Sequence, residues 1–102
     1  MKMIKWVPVT FVRLYIMEQA HLLEKILSSL KKDDIRGASV FRAINGYGAD
    51  GSHTSSLMDL SLNLPLSVEF FDTPEKVEQA IEHLMEWVKP EHLVCWTAQA
   101  NE

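Results

Sequence analysis

Cysteine is almost absent from this chain: Cys95 stands alone among 102 residues. A single cysteine excludes an internal disulfide and any multi-cysteine metal site. Its neighbours in Leu93-Val94-Cys95-Trp96 are apolar, so a buried structural thiol is expected. Basic residues are scarce too. Lys and Arg number 10 against 14 Asp and Glu, a formal net charge of −4. The densest basic group, Lys25, Lys31, Lys32 and Arg36, is diluted by Asp33 and Asp34. Such a surface is not expected to bind nucleic acid. No apolar run approaches the length of a membrane span. The start, Met1 to Pro8, imitates the head of a signal peptide, but Arg13 interrupts the apolar stretch and no small-residue cleavage site follows. A soluble, cytoplasmic protein without direct membrane insertion is expected.

Hydrophobic residues make up 47% of the chain and charged residues 24%, an ordinary globular composition. The length fits one domain over 1–102, burying roughly 60–65% of its unfolded surface. A first strand is predicted over Val9–Ile16, with Val12, Leu14 and Ile16 on one face and Phe11, Arg13 and Tyr15 on the other. A helix is predicted from Glu18 to Lys32 on the stripe Leu23, Ile26, Leu27 and Leu30. A second strand runs from Ala38 to Tyr47, and a third from Leu66 to Phe71. Asp72-Thr73-Pro74-Glu75 combines a capping side chain, a proline and a first-turn acid, which starts a second helix. That helix reaches Val88 on Val77, Ala80, Ile81 and Leu84. The last strand is Leu93–Ala98, and Gln99–Glu102 reads as a loose tail.

The order is β-α-β-β-α-β, which predicts an α+β, ferredoxin-like fold: a four-stranded antiparallel sheet with two helices on one face. The other face is uncovered. Phe11, Arg13 and Tyr15 of the first strand and Glu69 and Phe71 of the third point to it. Aromatic rings interleaved with charges on an open sheet suit an interface, and oligomerisation through the sheet is expected. Arg13 and Glu69 lie on neighbouring strands and should pair there.

Between the second and third strands lies Gly46-Tyr47-Gly48-Ala49-Asp50-Gly51-Ser52-His53-Thr54-Ser55-Ser56. A connection this long is uncommon in a small domain and is usually functional or disordered. Its middle shows no apolar pattern that could anchor it, so the 46–63 loop is expected to be mobile, with a short helical turn at Asp59–Asn63. Its base, Gly46-Tyr47-Gly48, is expected to be ordered because it leaves a central strand. The glycine amides of Gly46, Gly48 and Gly51 can cradle an anion as a nest, with Arg42 and Lys89 as the candidate cations.

The segment Gly37 to Ala49 with its Gly-Tyr-Gly, then His53-Thr54, then Leu60 to Pro65 leading into Val68-Glu69 and Asp72, resembles a bacterial and archaeal family catalogued as domain of unknown function 190, which is PII-like. Val12-Arg13-Leu14-Tyr15-Ile16 is similar to that family's first strand. The resemblance implies a homotrimer with clefts between subunits, no required cofactor, and an adenine nucleotide, AMP or ADP, as the possible effector. It places ligand contacts at Gly46, Tyr47, Gly48, His53 and Thr54, to which the residue reading adds the Gly51 amide and the cations Arg42 and Lys89. It also implies that the 46–63 loop meets a target protein, with membrane-transport proteins among the candidate partners. Two departures stand out. The segment Met17–His21 between first strand and first helix is shorter than in relatives, and Trp87-Val88-Lys89-Pro90-Glu91 replaces the glycine-rich phosphate loop of PII proteins. A monophosphate or nucleoside is therefore expected over a triphosphate.

Other candidates are weaker. His53 with Asp50 or Asp59 offers too few fixed ligands for a metal. His21 and His83 sit on polar helix faces and are expected to be solvated, and His92 shows no partner. Ser55 and Ser56 lack the orienting group that a nucleophile needs. The acidic stripe Glu75, Glu78, Glu82 and Glu86 reads as a solvated face. Trp6, Trp87 and Trp96 read as core or interface anchors. A non-catalytic regulator is the leading reading. The alternatives are a small ferredoxin-like enzyme using Arg13, Arg42 and His53, or a structural oligomeric partner without a ligand.

Overall fold

The computed structural model describes residues 3–17, 22–48, 51–54 and 65–102, with 46–48 and 51–54 described as backbone. β1 spans Trp6–Met17, α1 Leu22–Lys32, β2 Ala38–Arg42, β3 Asn45–Gly48, β4 Gly51–Thr54, β5 Pro65–Asp72, α2 Pro74–Leu84 and β6 Leu93–Asn101, and a 3-10 turn at Pro90–His92 leads into β6. Four strands form one sheet in the order β2-β5-β1-β6, every pair antiparallel. Apart from the β3-β4 hairpin, this is the ferredoxin-like βαββαβ arrangement expected from the sequence.

Strand alternation and helix stripes converge on one core. Val12, Leu14 and Ile16 of β1 and Leu66, Val68 and Phe70 of β5 are buried against Ile26 and Leu30 of α1 and Val77, Ala80 and Leu84 of α2. Phe70, 1% exposed, is the largest of the fully buried side chains. Each element ends for a local reason. After α1, Ile35 N–H donates to the Leu30 carbonyl and Asp34 N–H to that of Lys31, both at 3.0 Å. Asp34 takes the left-handed φ of 58° that this closing turn requires. Thr73 caps α2 by accepting from Lys76 N–H at 3.4 Å, and Pro74 occupies the first turn where no N–H is needed. Trp87 and Val88 N–H both donate to the Leu84 carbonyl, which closes α2 at Leu84 instead of Val88.

Asp72, 2% exposed, joins three elements. Its carboxylate accepts from Thr73 N–H at 2.8 Å, from Arg36 N–H at 2.9 Å and from the Arg36 guanidinium at 3.3 Å. The start of β2 and the start of α2 are thereby tied to the end of β5. Burial pushes its pKa up, but these three donors outweigh burial and hold it below the ordinary 3.8. A depressed folded pKa adds stability that is present above the unfolded value and lost as pH falls through the folded one. Asp72→Asn is expected to lower the unfolding free energy at pH 7 by about 1–3 kcal/mol. The gap between variant and wild type should narrow below about pH 4, where an unfolded aspartate is protonated. Urea melts at pH 7 and pH 3 check both statements.

The structure departs from the sequence reading at several points of the sheet. Residues Gln99–Asn101 are not loose: they pair with Pro8, Val7 and Trp6, and Glu102 N–H donates to the Lys5 carbonyl at 2.9 Å. This follows from β1 beginning at Trp6, which gives the tail a partner strand. Pro8 is accommodated because it lies beyond the last β5 pair, Thr10 with Asp72, where β1 has a neighbour on one side alone. The predicted Ala38–Tyr47 strand breaks after Arg42, and its second half enters the β3-β4 hairpin. Moreover, β2 is an edge strand, so the glycine motif does not leave a central one. Cys95 is exposed, contrary to the buried thiol expected: β6 is also an edge strand, and α2 packs over β1 and β5.

Candidate functional site

The open sheet face carries a layer of aromatic rings. Phe11 faces Phe71 across one ladder and Trp96 across the other, so the three rings form a row across β5, β1 and β6. Phe11 stacks on Phe71 with centroids 5.9 Å apart and on Trp96 at 4.7 Å. Two cations cover the row: the Arg36 guanidinium lies 5.0 Å from the Phe71 ring centre and that of Arg13 5.4 Å from Trp96. The next row on the same face pairs Glu69 with Arg13 and Arg13 with Val94. Arg13 Nε donates to Glu69 Oε2 at 2.7 Å, as the strand order and parity anticipate. Contacts with the Tyr15 hydroxyl and the Glu69 carboxylate push the Arg13 pKa further up, so this guanidinium stays charged at every working pH. In a single chain the face is far from closed. Arg13 and Glu69 side chains are 39% and 19% exposed, and Tyr15, Val94, Trp96 and Phe41 are exposed.

The β3-β4 hairpin occupies the start of the long connection. Asn45 pairs with Thr54, Gly46 with His53, Tyr47 with Ser52 and Gly48 with Gly51. The connection thus has structure of its own where the glycines suggested a plain loop. Asp59–Asn63 and the rest of 55–64 lie outside the described residues, as do His21 and Asp50. Arg42, the last residue of β2, is opposite Leu66, which is opposite Ile16. Those three share the helix-covered face at one end of the sheet, and a strand spacing near 4.8 Å puts Arg42 about 10 Å from Ile16. Arg13 is on the opposite face, so Arg42 and Arg13 are not brought together and the enzyme alternative loses two of its three residues as a common pocket.

Two clefts accompany these elements. One, of about 430 Å³, lies at the β2 edge of the open face and is lined by Phe11, Arg36, Ser39, Phe41, Glu69 and Phe71 among others. The second, of about 240 Å³, lies at the far end of β1 and is lined by Ile16, Met17, Leu22, Trp87, Val88, Lys89 and His92. Lys89 therefore sits at the same end of the sheet as Arg42. The sequence reading missed Trp87 and His92 as companions of Lys89; the spacing of Lys89 and His92 about Pro90 was the available signal. It also missed Arg36, whose position over Phe71 depends on its bond to Asp72. His83 is not simply solvated: its Nδ1 lies 2.8 Å from Asp33 Oδ2, linking α2 to the end of α1. Trp6, Trp87 and Trp96 are 59%, 38% and 40% exposed, which excludes the core reading for all three. Among the described residues no group of three potential ligands is placed to hold a metal, and no helix is long and apolar enough to cross a membrane.

Solved structures of PII-like proteins share this fold. A nitrogen regulatory PII-like protein, CPII, from Thiomonas intermedia K12, bound to ADP, AMP and bicarbonate, superposes with a TM-score of 0.66 at 17% identity, covering 98% of this chain and 92% of that one. A putative PII-like signaling protein from Thermus thermophilus gives 0.65 at 14% identity over 95% and 91%. At these identities the likeness concerns the fold. In sequence, the UPF0166 protein MJ1524 of Methanocaldococcus jannaschii is 33% identical over 76 residues, which is 74% of this chain and 70% of that protein. Residues 9–100 match the family described as uncharacterized ACR, DUF190, and the chain belongs to that family.

Proposed function

We propose that the protein is a non-catalytic regulator that assembles as a homotrimer through the open sheet face and binds an adenine nucleotide at clefts between subunits. The observation that carries this reading is the aromatic and charged face across β5, β1 and β6, which the helices leave uncovered in a chain of PII-like fold. Exposed stacked rings form an apolar patch of the kind that marks an interface, and the charges beside them already have the partners that burial against another copy requires. An obligate interface of this kind buries upward of about 2,000 Å². The β3-β4 hairpin follows the β2 edge strand, where an effector near Gly46-Tyr47-Gly48 can alter how the 46–63 segment meets a target protein.

Calorimetry with AMP, ADP and ATP tests the ligand. Wild type should bind AMP at least as tightly as ATP, because the chain lacks a glycine-rich phosphate loop after α2. Gly48→Val places a β-branched side chain opposite Gly51, where the backbone is proposed to approach the ligand, and should weaken AMP at least tenfold. Tight ATP with weak AMP overturns the monophosphate preference. Equal binding by Gly48→Val moves the site away from the hairpin.

A further inference from the structure

The open sheet face differs at its two sides. At the β2 side it is hollowed by the cleft of about 430 Å³, where Phe41 and Phe71 lie with Arg36, Ser39 and Glu69. At the β6 side it carries exposed bulk, Val94 at 47% and Trp96 at 40%, on a strand with no neighbour beyond it in the chain. Both charged side chains that line the cleft are already paired: Arg36 donates to Asp72, and Glu69 accepts from Arg13. The cleft therefore offers little to an ion. Its exposed rings, with Phe41 at 54%, suit a neutral aromatic group. The Arg36 guanidinium lies over Phe71 and its side chain is partly exposed, so its other side can take a second ring.

We infer that each subunit seats Trp96 of its β6 edge in the β2-edge cleft of the next copy, against Phe41, Phe71 and Arg36. This rests on the homotrimer reading and gives that contact a direction. A closed ring of three identical chains is built from head-to-tail contacts, in which two different surfaces meet; a two-fold contact sets one patch against itself. The hollow and the exposed bulk lie on opposite edges of one face, which is where a head-to-tail ring needs its two surfaces. Of the three tryptophans, Trp96 alone shares the open face. Trp6 has the parity of Val12, on the helix side, and Trp87 follows α2 outside the sheet. Tryptophan and arginine are the residues that most often dominate an interface energetically.

Disulfide trapping in a Cys95→Ser background tests this. Ser39 and Val94 end one row of the face, with Glu69 and Arg13 between them. Three strand spacings put them about 14 Å apart, beyond the roughly 4.4–6.8 Å between Cα atoms that a disulfide spans. Any bond between cysteines at these positions must link two subunits. Ser39→Cys/Val94→Cys, which leaves Trp96 in place, should give covalent trimers on a denaturing gel after oxidation. Each single variant should give monomers. Trp96→Ala should weaken association at least tenfold by light scattering, the loss of one anchoring ring, while far-ultraviolet circular dichroism keeps its folded signal. Covalent dimers from Val94→Cys alone would mean that like surfaces meet and would overturn the inference. An unlinked double variant of unchanged subunit number, or unchanged association of Trp96→Ala, would also overturn it and leave the homotrimer reading standing. A monomeric wild type at micromolar concentration overturns both.

Discussion

Phe70→Ala is expected to lower the unfolding free energy by about 3–5 kcal/mol, the cost of losing a fully buried aromatic ring and leaving a cavity. Phe70 is 1% exposed and stands opposite Val12 in one ladder and Ala38 in the other, so the hole opens inside the core cluster to which both helices contribute. Total stabilities of small domains are about 5–15 kcal/mol, so the variant should be partly unfolded at moderate temperature. Guanidinium melts at a fixed protein concentration measure the loss, which matters because subunit association shifts apparent stability. A loss under about 1 kcal/mol, far below the range for a buried aromatic ring, would show that Phe70 is not the centre of the core.

Arg13→Met should release subunits from the oligomer. In the single chain the Arg13–Glu69 pair is partly exposed, and such a pair adds little to folding. Its effect comes in the assembly. If the open face is buried against another copy, removing the guanidinium strands the Glu69 carboxylate without its partner and removes the cation over Trp96. Light scattering should therefore report a smaller particle, and the melting temperature should fall with it, because the released chain loses the stability that association supplies. Glu69→Gln keeps a hydrogen-bonding acceptor for Arg13 and should act in the same direction but less. If subunit number is unchanged in Arg13→Met, the pair faces water in the assembly.

Much of the fold was legible because it rests on periodicity. Val12, Leu14 and Ile16 alternate, the helix stripes repeat at three and four, and Thr73-Pro74 starts α2 where a capping residue and a proline belong. The Arg13–Glu69 contact was legible too, since the split-βαβ order makes β1 and β5 neighbours and parity puts both residues on the open face. What failed depended on position within the sheet. The run Leu93 to Trp96 reads as buried, yet an edge strand beyond the reach of the helices leaves Cys95 exposed. The tail at Gln99–Asn101 shows no strand pattern, and it is ordered by pairing with Trp6–Pro8. The hairpin at Asn45–Thr54 was hidden because its glycines signal backbone freedom, which serves a turn as readily as a loop. At the candidate site, Lys89 could be picked out by charge. Trp87 and His92 could not be joined to it without the turn that brings them to one cleft.

Native mass spectrometry of the full chain, sprayed with and without added AMP, tests the central claim most directly because it reports subunit number and retained ligand together. The expected spectrum shows three subunits, with AMP adding in steps up to one per intersubunit cleft. A folded monomer that carries no AMP at micromolar protein and excess nucleotide would contradict it.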